Sequence, residues 1–260
     1  TGLPPTLRGV LVHNSLEMFW RETADSQALH QLSDDDRRQR LADAITKAMQ
    51  GFFRRQNGLI QEQDYGTRHL ALEKQRLIRL LDNWLQVEME RSPFAAANSE
   101  LKAELALGNF TLSLRLDRVD RLPSGGIVII DYKTGQSGIG AITGERLLEP
   151  QLPLYALALK ATSDEALTAV TYAKINIRAL GFDGLAESPD LLAGCQSLSK
   201  KGLPESWDAT LQQWQIALDE LVEELSNGQA ELVFYSRDAG NYSQDLLPLN
   251  RLYDLERLSQ

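Results

Sequence analysis

The sequence predicts an α/β fold, a mixed sheet flanked by helices with a long helical stretch ahead of most of its strands. Three observations carry this. Residues 101–107, 110–116 and 167–179 alternate apolar and polar positions with period two, as half-buried strands do. Ile127-Val128-Ile129-Ile130 is instead a continuous apolar run between turn residues, the pattern of a central strand covered on both faces. Residues 33–56 and 70–91 repeat their apolar positions at helical spacing.

The elements follow in order. Residues 7–20 form an opening helix, with Val10, Leu11, Leu16, Phe19 and Trp20 as its apolar positions. His13 and Glu17 are one turn apart and share a face. Ser33 followed by Asp34-Asp35-Asp36 is a helix cap with acids in the first turn, starting a helix that runs to about Gln56. Leu72, Leu77, Leu80, Leu81, Trp84 and Leu85 mark the next one. Residues 21–98 therefore read as a helical insertion between the opening helix and the sheet. From Ser99, Leu101, Ala103, Leu105 and Leu107 alternate, and Gly108-Asn109 turns the chain into a second strand with Leu112, Leu114 and Leu116. Pro123-Ser124-Gly125-Gly126 is turn chemistry, so this strand is expected to pair with the 127–130 run as a hairpin. Residues 134–149 read as a mobile glycine-rich loop, and Pro150 opens a helix to about residue 161. In the last strand Val170, Ala173, Ile175 and Ile177 are expected inside, with Tyr172, Lys174, Asn176 and Arg178 on the other face. The order is helix, three strands, helix, strand. Residues 99–180 hold this core, and 181–260 read as a helical and irregular region with a helix over 206–227 ended by Gly228. The tail from 230 reads as irregular, closing in a short helix.

The chemistry gathers at one end of the sheet. Asp117 ends one strand and Asp131 follows the buried run, so the hairpin brings the two carboxylates together. Carboxylates in contact repel unless a cation sits between them. Lys133, two residues on, points to the same side as Asp131. Two carboxylates, a divalent metal and a lysine are the groups that phosphodiester hydrolysis requires. The plainer alternative is a pair of strand-end aspartates beside an exposed lysine.

Four blocks stand in a recognisable order: Arg8-Gly9 with His13 and Glu17; Leu116-Asp117-Arg118-Val119-Asp120; Ile130-Asp131-Tyr132-Lys133-Thr134-Gly135; and Gln151-Leu152-Pro153-Leu154-Tyr155. With them the chain resembles the RecB-like nuclease family of the PD-(D/E)xK superfamily, over the opening helix and residues 99–178. The resemblance implies a PD-(D/E)xK core of α-β-β-β-α-β order and a Mg²⁺- or Mn²⁺-dependent deoxyribonuclease, expected to be an exonuclease. It implies metal ligation by His13, Asp117, Asp131 and the backbone carbonyl of Tyr132. Lys133 would orient the attacking water or neutralise charge in the transition state, with Gln151 and Tyr155 ordering the site near the phosphate. Glu17 is either a supporting partner of the metal site or a solvated helix glutamate, and Glu104 is structural or supporting. Arg118 and Asp120 suit a charge pair holding the hairpin. Arg118, Lys174 and Arg178 are also the weaker candidates for DNA contact. Two features depart from the family. Leu114 stands where a glycine is common, and Cys195 is the only cysteine, so the four-cysteine iron–sulfur cluster of many relatives cannot form.

Composition sets the limits. With 260 residues, 43% hydrophobic and 24% charged, the chain suits one globular domain with an embellishment. No apolar stretch has the length of a membrane span and no leader is apparent. A start at Thr1-Gly2 suggests excision from a longer polypeptide, and a single cysteine fits a reducing cytoplasm. The net charge of −9 disfavours long-range attraction of DNA. The expected setting is a repair or recombination protein with helicase-like regions in the same polypeptide or in a partner subunit. The rival reading is a catalytically inactive nuclease-fold module that binds DNA or scaffolds a partner such as a helicase.

Overall fold

A computed structural model describes residues 3–55, 65–97, 101–144 and 146–229. The expected irregular tail and terminal short helix lie outside the described residues.

Four helices come first. α1 (Pro5–Thr23) begins with proline, whose missing N–H costs nothing at a helix start. α2 (Ser26–Gln31), absent from the sequence reading, is capped by Asp25, which accepts from the Ala28 N–H at 2.7 Å. α3 (Asp34–Arg55) starts at the expected cap, the Ser33 hydroxyl accepting from the Asp36 N–H at 3.1 Å. α4 (Thr67–Met89) lies against α3, and Asp82 clamps the two by receiving Arg37 Nε at 2.8 Å and Arg38 Nε at 2.9 Å. Leu16, Leu29, Leu41, Ile45, Leu81 and Trp84 are fully buried between these helices. They share one core with Val128, Ile130 and Tyr132 of the sheet. The span 21–98 thus supplies the apolar layer over one sheet face.

The remaining elements are β1 (Ala95–Ala96), β2 (Leu101–Leu107), β3 (Phe110–Leu116), β4 (Arg118–Arg121), β5 (Ile127–Lys133), α5 (Gln151–Thr162), β6 (Leu167–Asn176), β7 (Ala179–Ala186), β8 (Cys195–Ser197) and α6 (Trp207–Ser226). Six strands form a mixed sheet in the order β1-β4-β5-β6-β7-β8, with β5 parallel to β6 and β7 parallel to β8. β2 and β3 form a separate antiparallel pair. α5 packs against that pair and against β5 and β6, on the face opposite the helical layer.

The structure corrects the hairpin. The 110–116 strand pairs with β2, and the chain breaks at Asp117 before β4, which alone pairs with β5 across the 122–126 turn. Gly126 has φ 91°, and a Cβ there would lie 2.5 Å from Thr168 Cγ2, so the turn requires glycine. The loop before α5 is also less open than expected, because Ile139–Ile142 form a short 3-10 turn whose two isoleucines are buried. Ile177 lies in the β6–β7 turn, 72% exposed rather than inside, and Tyr172 is fully buried because both faces of β6 are covered. The sheet also continues past residue 178 through β7 and β8.

The chain divides into two compact units, Thr1–Asp219 and Glu220–Gln260. The described part of the second is the C-terminal end of α6 and its close at Gly228, with φ 66°. Among the described residues no helix is long and apolar enough to cross a membrane.

Candidate active site

Strand alternation decides which β5 side chains meet which layer. Val128, Ile130 and Tyr132 face the helices, so Ile127, Ile129, Asp131 and Lys133 face the α5 side. The register Arg118↔Ile130 places Asp117, one step beyond the paired strand, opposite Asp131. α1 brings His13 over the same strand end. It can approach closely there because Gly9 has no side chain: a Cβ would lie 3.3 Å from Thr134 Oγ1.

The result is a connected set of polar groups. Lys133 Nζ lies 2.7 Å from Asp131 Oδ2 and donates to Gln151 Oε1 at 2.7 Å. The Gln151 amide in turn donates to the Tyr155 hydroxyl at 2.6 Å. On the α1 side, Asp117 Oδ2 accepts from the Tyr132 N–H at 3.0 Å and lies 3.1 Å from His13 Nδ1. His13 also meets the Tyr132 ring edge-on at 5.8 Å.

The electrostatics are strained in one place. Asp131 is fully buried, its Oδ1 has no hydrogen-bond partner, and the close lysine on Oδ2 is off hydrogen-bond geometry. Burial, and then the charge of Asp117, push its carboxyl from the ordinary 3.8 up to about 6 against the pull of Lys133 and His13. Burial also raises Tyr155 to about 12, so its hydroxyl keeps a proton to donate. For His13, burial works against the imidazolium, but the hydrogen bond and charge of Asp117 prevail and raise it.

A buried carboxylate oxygen with no donor, beside a second carboxylate, is the environment a divalent cation would relieve. Oxygen donors with one imidazole suit a hard ion of the Mg²⁺ or Mn²⁺ kind. The residues therefore fit such a group, although among the described residues no three His, Cys, Asp or Glu side chains already stand at metal-binding spacing. Asp117 is turned towards His13 and the Tyr132 N–H instead.

Two adjoining clefts reach these groups. One, of about 660 Å³, is lined by Lys133, Gln151 and Tyr155, and the other, of about 460 Å³, by Glu17 and Asp117. His13, Arg115 and Tyr132 border both. Glu17 pairs with Arg21 and Arg115, each at 2.8 Å. Glu104 is exposed on β2 opposite Ser113 and lines neither cleft. Arg118 is corrected as a DNA-contact candidate. It is buried behind the sheet, held by Glu88 at 2.7 Å, by Asp120 at 2.6 Å and under the Trp20 ring, and faces no solvent. Lys174 pairs with Asp183 at 2.6 Å, and Arg178 is exposed in the turn after β6. The sequence reading missed Arg115 and Glu149, which line the first cleft. Arg115 carries one signal, a cation between Leu114 and Leu116 on the outward face of an alternating strand.

A search of curated proteins finds no match. A family model described as the PD-(D/E)XK nuclease superfamily matches residues 2–236, most of the chain and all of the site above, and the chain belongs to that superfamily.

Proposed function

We propose that the chain is a divalent-metal-dependent deoxyribonuclease of the RecB-like kind, the nuclease module of a DNA repair or recombination protein. The observation that carries this is the buried Asp131 with its unpartnered oxygen, set between Asp117 and the Lys133–Gln151–Tyr155 chain. In this reading Asp117, Asp131, His13 and the Tyr132 carbonyl hold Mg²⁺ or Mn²⁺. A cation there supplies Lewis acidity toward a phosphoryl oxygen and acidifies a water.

The chain's own groups do the rest. Lys133 lines the cleft with its ammonium beside Asp131, where it would meet negative charge growing on the phosphoryl group. Gln151 accepts from that ammonium and fixes its direction, and Tyr155 fixes Gln151 while keeping a proton for a phosphate oxygen. Exonucleolytic action and a helicase-like partner belong to the proposal on the strength of the RecB-like motifs.

Mn²⁺ titration calorimetry and a DNA cleavage assay, run on Asp131→Ala and Lys133→Ala, test it. Asp131→Ala should lose metal binding and cleavage together. Lys133→Ala should keep most metal binding while cleavage falls by roughly 10²–10³-fold, as for loss of one transition-state charge partner. Parental activity in Lys133→Ala would remove the lysine from catalysis. A parent inert with both metals would leave the non-catalytic module as the better reading.

A further inference from the structure

Beyond the catalytic clefts lies a cavity of about 500 Å³ whose walls carry Arg8, Arg76, Lys174 and Arg178. Thr134, Gly135, Gln136 and Ser137 border both this cavity and the cleft that holds Lys133 and Gln151. The segment after the Asp131–Lys133 block is therefore the wall that the two spaces share. Gly135 sits on it without a side chain, and nothing stands within 4 Å of where its Cβ would be.

The charge balance separates this cavity from the rest of the chain, whose net charge is −9. Glu73 takes both Arg8, at 2.8 Å, and Arg76, at 3.1 Å, and Asp183 takes Lys174 at 2.6 Å. Those acids hold three cations in place without cancelling them all, and among the described residues Arg178 has no side-chain partner. The cavity keeps a surplus of positive charge in an acidic protein, and its polar lining includes the Asn176 and Gln136 amides.

A small anion would need only one of these spaces. Two neighbouring spaces that share one wall, one with the proposed catalytic groups and one with spaced cations, fit a polyanion whose charges repeat along a chain. We propose that this cavity is a second subsite for the phosphodiester backbone of the substrate strand, receiving a phosphate beyond the scissile one, with Arg178 and Arg76 as its anion-facing groups. The inference rests on the nuclease reading of the neighbouring cleft, and it assigns that site a substrate class: a strand long enough to cross from one space to the other.

Fluorescence anisotropy with labelled oligothymidylates of two and twelve nucleotides tests it, alongside cleavage of the same strands with Mn²⁺. The proteins are the full 260-residue chain, Arg178→Glu, Arg178→Lys and, as a control for whole-chain charge, Lys200→Glu at an exposed residue outside the cavity lining. Arg178→Glu should weaken twelve-mer binding at least tenfold and the dinucleotide less. It should also reduce the steepness of the salt dependence by about 0.7, the share of one single-strand phosphate contact. Arg178→Lys should recover most of the loss, and Lys200→Glu should leave the steepness as in the parent. Equal losses in Arg178→Glu and Lys200→Glu, or equal losses for both lengths, would overturn the subsite. If the parent cleaves while Arg178→Glu binds the twelve-mer as well as the parent, the subsite fails and the nuclease reading stands. If the parent never cleaves but the length-dependent loss appears, the subsite stands as a strand-binding site and the nuclease reading fails.

Discussion

Asp131 is a buried acid whose ionised form the fold disfavours. Its carboxyl lies in the sheet with no hydrogen bond to Oδ1, and burial with the neighbouring Asp117 raises it to about 6 from an ordinary 3.8. A carboxylate raised in the folded state binds protons more tightly there than in the unfolded chain. Its contribution is therefore fully favourable below the unfolded value and is lost as pH rises through about 6. At neutral pH the ionised group costs the metal-free protein on the order of 3 kcal/mol. Asp131→Asn keeps the shape and removes the charge. In chelator, the variant should be more stable than the parent at pH 7 by roughly that amount, and the difference should shrink towards nothing near pH 4. Urea denaturation at both pH values checks this. A variant less stable than the parent at pH 7 would mean that Lys133 and His13 already repay the buried charge.

At the scale of elements, a buried charge cluster ties the helical layer to the site strand. Arg118 on β4 joins Glu88 on α4 and its own neighbour Asp120, while Arg91 spans the same two acids and Arg118 Nη1 reaches the Tyr132 hydroxyl at 3.3 Å. Glu88 and Asp120 are both fully buried. Removing one partner from such a cluster leaves a charge stranded in the interior, so Arg118→Met should cost about 3–5 kcal/mol. Arg121→Ala, which breaks the exposed pair with Glu165, should cost within about 1 kcal/mol. Comparable unfolding midpoints for the two variants would show that the cluster is solvated or repacks. The same elements explain what could be read in advance. Long periodic helices and the continuous β5 run declare themselves, because burial of a regular face leaves a regular pattern. The 110–116 strand misled because alternation reports a half-buried strand and not its partner, and the break at Asp117 has no glycine or proline to mark it. β7 was hidden by Gly181 and Gly184, poor strand residues taken one by one. Gly184 is required there by crowding, since a Cβ would collide with Val170 O. That Asp117, Asp131, Lys133, Gln151 and Tyr155 come together was legible because their motifs fix local spacing. The burial of Arg118 depends on α4, about thirty residues away, and no local pattern reports it.

For the molecule as a whole, the net charge of −9 opposes the approach of DNA, and the attraction left is local. Among the described residues, Lys133 and Arg115 at the cleft and the cations of the adjoining cavity offer contacts to a few phosphates. With about three such contacts on a single strand, the logarithm of affinity should fall with a slope near −2 against the logarithm of salt. Raising salt from about 50 to about 200 mM should then weaken binding by roughly 20-fold, and cleavage below saturation should fall with it. On the proposed nuclease reading, such a charge balance predicts efficient cleavage only when something else holds the strand at the cleft. A helicase-like region or subunit that feeds DNA replaces a diffusional encounter with local delivery, and the salt dependence should flatten when it is present. Cleavage rates for the 260-residue chain alone and for the chain with such a partner, over one salt series on single-stranded DNA, decide the point. Tight binding by the isolated chain that ignores salt would place the affinity in contacts other than phosphate charge, and delivery would then be unnecessary.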